Sequence, residues 1–87
     1  MSKKKRIYTR ISLDILLFGG KQVIIIEHAL LRARTRDIIF PDEIYTTIHT
    51  GKIKRFGKNY LRIQGKNVEC VCEETNDYII IKTVVKI

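Results

Sequence analysis

The apolar positions of this 87-residue chain change their period at Gly51. From Glu27 up to it they fall at helical spacing, and beyond it the chain reads as strands. From Glu27 the pattern is helical, with Ala29, Leu30 and Ala33 on one face and Ile26 aligned one turn earlier. His28, Arg32 and Arg36 follow at i, i+4 and i+8 and fall in one narrow sector of a different face. A second helix begins at Pro41, with Asp42 and Glu43 complementing its dipole. Ile44 and Ile48 lie on its buried side, and Gly51 stands where a left-handed cap is expected.

Before Glu27 the pattern leaves two readings open. Ser12 could cap a short helix through Leu13, Ile15, Leu16 and Leu17, closed by Gly19 and Gly20, and a strand fits the same residues. Val23 to Ile26 is β-branched and suits a short strand or a buried helix entry. After Gly51, Lys52 to Phe56 and Asn59 to Gln64 read as strands joined around Gly57 and Lys58. Turn signals at Gly65-Lys66-Asn67 and Thr75-Asn76-Asp77 bound a third strand, Val68 to Glu74. The last run, Tyr78 to Ile87, is apolar on both faces in its first half, as a central strand would be. The expected fold is therefore α+β: two N-terminal helices packed on a four-stranded antiparallel sheet.

This length makes one domain, residues 1–87, with a basic tip at 1–6 read as a frayed end. A domain of this size buries only about 60% of its unfolded surface, so a homodimer would add to its stability. Seventeen Lys and Arg against nine Asp and Glu give a formal charge of +8. Such an excess concentrates polyanions, and nucleic acid is the commonest of them in a cell. An anionic membrane surface ranks second, and a basic coat for solubility is the plain alternative. Lys3 to Arg6 followed by Ile11 to Phe18 imitates a secretory signal, but Asp14 interrupts the apolar run and no small-residue cleavage site follows. No apolar stretch approaches the roughly 18 residues of a membrane span, so the expected location is the cytoplasm.

Cys70 and Cys72 lie i, i+2, with parallel side chains roughly 6.6 Å apart on a strand. That is poor disulfide geometry, and they read as small buried apolar residues. His28, His49 and these cysteines lack ligand spacing, so no metal or cofactor is expected. A glycine-rich phosphate loop and a serine-centred nucleophile motif are both missing from the sequence.

Two groups of residues could act on nucleic acid. Lys52, Lys54, Arg55, Lys58, Arg62 and Lys66 occupy the first two strands and their turns after Gly51, with Phe56 and Tyr60 among them. Cations interleaved with aromatics suit single-stranded RNA, whose bases stack while the cations track phosphates. A solvated sheet face would carry the same residues. The second group is the His28-Arg32 face, which pairs a group that titrates near neutrality with a permanent, planar cation. Metal-independent RNA cleavage needs both kinds, although a solvated helix face again fits the pattern.

The string Glu27-His28-Ala29-Leu30-Leu31-Arg32 resembles the family known as domain of unknown function 4258. So do Arg36, Ile38, Asp42-Glu43-Ile44, Gly51, Gly65 and the terminal Ile81-Lys82-Thr83-Val84. The resemblance covers roughly Val23 to Ile87. One departure is Asp37, where the family commonly has glycine after its second arginine. The family in turn is similar to the RelE and BrnT ribonuclease toxins, which implies a RelE/barnase-like helix pair on a curved sheet. On that likeness His28 would transfer protons, and Arg32 and Arg36 would bind the scissile phosphate. Thr83 would orient it from a central strand facing the His-Arg helix. The implied activity is metal-independent endoribonucleolytic cleavage, and the implied partner an acidic antitoxin-like protein. A non-catalytic nucleic-acid-binding module and a protein-interaction partner are the competing expectations.

Overall fold

The computed structural model describes residues 10–87, so the basic tip lies outside the described residues. The chain runs β1 (Arg10–Leu17), β2 (Lys21–Ile26), α1 (Glu27–Thr35), α2 (Asp42–Thr50), β3 (Lys52–Phe56), β4 (Tyr60–Gln64), β5 (Val68–Glu74) and β6 (Tyr78–Lys86). The strands form one mixed sheet in the order β1-β2-β6-β5-β4-β3. β2 pairs with β6 in parallel, and every other neighbouring pair is antiparallel.

This corrects the expectation of two helices ahead of a four-stranded antiparallel sheet. The N-terminal residues form a hairpin, not a helix. Ile11, Leu13, Ile15 and Leu17 point into the core at a period of two, while Ser12, Asp14 and Leu16 stay exposed. Gly19 (φ 79°) and Gly20 (φ 125°) close its turn in a region open chiefly to glycine. β2 then lies beside β6, and its Ile24 is buried on the face away from the helices, next to Ile80. Apolar residues on both faces are what a parallel, interior pairing requires, and they keep β2 and β6 inside the sheet, away from its edges.

The helices cover one face, called inner here. α1 rests mainly on β6 and α2 on β5 and β4. Ala29 and Ala33 are fully buried, and their small side chains let α1 sit close to the sheet. Beneath the helices lie Val23, Ile25, Leu61, Ile63, Cys70, Cys72, Ile79, Ile81 and Val84. Burial pushes the Cys70 thiol up to about 12, and the Cys72 thiol rises as well for the same reason, so both cysteines behave as apolar packing.

The left-handed helix cap sits on α1, not on α2. Asp37 adopts φ 56°, and its N–H bonds back to Arg34 O (3.4 Å) while Ile38 N–H reaches Ala33 O (2.9 Å). These are the paired bonds of a Schellman motif, sealed by the buried Ile38. Gly51 has an ordinary φ of −75°. It is required for space instead: a Cβ there would lie 2.5 Å from Thr47 O and 2.9 Å from Gln64 O.

Candidate nucleic-acid interface

β3 and β4 pair without interruption, Lys54 opposite Arg62 and Phe56 opposite Tyr60. Leu61 and Ile63 are fully buried on the inner face. Strand alternation therefore sends Tyr60, Arg62 and Gln64 outward, and pairing places Lys52, Lys54 and Phe56 beside them. On this outer face the Phe56 and Tyr60 rings stack with centroids 5.6 Å apart and planes 24° apart. The Arg62 guanidinium lies 4.8 Å from the centroid of the Phe56 ring. Arg62, Phe56 and Tyr60 thus make one column of planar groups, flanked by the exposed amines of Lys52 and Lys54.

Next along the sheet, β5 carries acid on the same face. Glu69 approaches Arg62 at 3.6 Å, and Glu73 approaches Lys82 at 3.4 Å. This acidic rib neutralises the cations on either side of it. The uncompensated positive charge of the outer face is accordingly concentrated on β3, at Lys52 and Lys54.

Arg55 does not belong to this face. It pairs opposite the buried Leu61, so it points inward, where it forms an ion pair with Glu74. Glu74 also receives Lys21 Nζ at 2.7 Å, and Phe18 of the β1–β2 turn lies 4.9 Å below the Arg55 guanidinium. Hydrogen bonds from Arg55 and then Lys21 hold the Glu74 carboxyl below the usual carboxylate range. The sheet is therefore curled enough for its first turn to meet its last strand. Lys58 sits exposed in the β3–β4 turn. Lys66 lies in the β4–β5 turn and, with Lys52 and Thr50, lines an open cavity of about 770 Å³ beside α2.

The four residues proposed for cleavage do not converge. His28 and Arg32 are both exposed on α1, and Arg32 Nε donates to His28 Nε2 at 3.4 Å. Arg36 is half-buried and directs Nη1 to the Val84 carbonyl at 2.8 Å. It makes no ion pair with its neighbour Asp37 but is spent partly on the backbone of β6. Thr83 lies on the other side of the sheet. Pairing shifts between Val71 and Cys72, so that Val71 faces Thr83 and Cys72 faces Ile81, leaving Lys82 as the extra residue of a bulge. The bulge turns Val84 into the core and Thr83 outward, against the expected strand parity. Thr83 instead ends a cross-strand row of Lys54, Arg62, Val71 and Thr83 on the outer face. The bulge leaves no mark in the sequence, where Lys82 stands in an otherwise unbroken run of strand-forming residues.

A model of the family described as Domain of unknown function (DUF4258) matches residues 25–86, and the chain belongs to that family. The match takes in both helices and β3 to β6, and leaves β1 and most of β2 outside it. No curated protein and no solved structure matches the chain. No helix among the described residues is long and apolar enough to cross a membrane.

Proposed function

We propose that this protein is RNA-directed and holds a single strand across the outer face of β3 and β4. The observation that carries this reading is the Arg62–Phe56–Tyr60 column beside Lys52 and Lys54. An unpaired base of any identity stacks on the Tyr60 ring at the end of this column, where Phe56 backs it, and the amines meet the neighbouring phosphates. Duplex bases are already stacked on each other and have no face to offer, so single strands bind in preference to duplex.

Fluorescence anisotropy with labelled single-stranded RNA and duplex DNA tests it. Replacing Phe56 and Tyr60 together by alanine removes about 1–3 kcal/mol per stacked base. Affinity that is indifferent to both salt concentration and this double substitution would sink the reading.

The contact between Arg32 and His28 favours a second reading, a metal-independent endoribonuclease of the toxin type. With Arg32 turned from His28 to the phosphate, the His28 Nε2 lone pair would take the 2′-hydroxyl proton as that oxygen attacks phosphorus. The 5′-oxygen would leave and take a proton from water, and Arg32 would steady the charge on the phosphate. α1 lies on the opposite face from Phe56 and Tyr60, so stacking and cleavage would engage different stretches of one RNA. Chelator-resistant cuts that disappear in His28→Ala support this reading, and equal cutting by that variant overturns it.

A further inference from the structure

We propose that the free edge of β3 receives an extended acidic segment of another protein, which joins the sheet as a further strand. β3 ends the sheet, and all five of its residues are exposed. Among the described residues no strand pairs with its far side. A row of backbone N–H and C=O groups is therefore open to another chain.

The two edges of the sheet differ in how they are guarded. β1 breaks its pairing between Ser12 and Leu16, and Asp14 there adopts φ 57°, so that edge is kinked against a flat partner. β3 keeps an unbroken register with β4 from Lys52 to Phe56 and contains no proline. Its guard is charge alone, from Lys52 and Lys54 on the outer face, since Arg55 on the inner face is paired with Glu74. Charge of one sign repels a second copy of β3 but attracts a strand of the opposite sign.

The alternation also specifies the pattern of the partner. Ile53 points inward beside the buried Ile63 yet is 40% exposed, because no further strand covers it. A segment with an apolar residue beside Ile53 would extend the core by one column. Carboxylates at the alternate positions of that segment would face Lys52 and Lys54. Backbone pairing supplies affinity in such an arrangement, and the alternate side chains supply selection.

The test uses the full chain and a short fluorescent peptide alternating Glu and Val. A second peptide of the same sequence is N-methylated at alternate amides. Saturable binding is expected for the parent peptide, with binding of the methylated one weaker by about tenfold or more. Ile53→Thr keeps the strand and is expected to weaken the parent peptide severalfold while leaving single-stranded RNA binding within about twofold. The Phe56→Ala, Tyr60→Ala variant is expected to do the reverse. No binding of the parent peptide, or equal binding of the methylated one, overturns the proposal. Peptide binding by a wild-type chain that holds no single-stranded RNA leaves this proposal standing and counts only against the RNA reading.

Discussion

Arg36 Nη1 donates a 2.8 Å hydrogen bond to the carbonyl of Val84, tying the end of α1 to β6. The bond lies past the point where β2 stops covering that strand, since their pairing ends at Ile25 opposite Ile81. Lys86 repeats the arrangement in reverse, its amine reaching the Asp37 carbonyl at 3.0 Å. Beyond the last rung of the parallel pair, side chains replace a strand in holding α1 against β6.

Arg36→Ala is therefore expected to cost about 1.5–3 kcal/mol, the range for a hydrogen bond from a charged donor. His28→Ala, on the exposed side of the same helix, should stay within about 0.5 kcal/mol of wild type. Urea unfolding of the two variants checks this. Equal midpoints would show that the Arg36 bond is idle.

The two ends of the helices call for opposite substitutions. Asp37→Gly relieves a left-handed backbone without losing an ion pair, and a gain of up to about 1 kcal/mol is expected. Gly51→Ala drives a methyl against the Thr47 and Gln64 carbonyls, and should cost about 1–3 kcal/mol. Thermal melts of both variants against wild type decide the signs.

Glu74 predicts how stability responds to acid. Its carboxyl titrates lower in the folded chain than the ordinary 4.5, because Arg55 and then Lys21 hydrogen-bond its charged form. Its contribution is thus complete above the unfolded pKa and fades as pH falls through the folded one. Glu74→Gln should lose stability at neutral pH and flatten the acid side of the profile below roughly pH 4.5. A profile parallel to wild type would show that the Arg55–Glu74–Lys21 cluster does not form in solution.

The orientation of β3 sorts its cations. Lys52→Gln and Lys54→Gln should each reduce the salt dependence of RNA binding, by about 0.7 in log–log slope for each phosphate that is no longer neutralised. Arg55→Gln should leave that slope unchanged and alter acid stability instead. Anisotropy titrations across salt concentrations separate the two outcomes, and a slope change at Arg55 would contradict its inward placement.

Much of the fold was legible in local pattern. The 3.6-residue spacing around Ala29 and Ala33, the Pro41 to Gly51 helix, and the four strands after Gly51 all follow from periodicity and turn residues. So does the family, whose motif residues are contiguous or regularly spaced in the chain. The stacked column was half visible, as aromatics among basic residues. Which of those residues share a face follows from strand alternation once the register is known.

Tertiary structure decided the rest. Local pattern fitted residues 12–17 to helix or strand alike, and only the slot beside β2 makes them a strand. That β2 lies parallel to β6 depends on a pairing between residues more than fifty positions apart, which leaves no local mark. The bulge at Lys82 matters most for the site. An alternating pattern carries its parity forward without limit, so one unpaired residue reverses every side chain after it. That single step moves Thr83 away from His28 and Arg32 and sets it in line with Lys54 and Arg62.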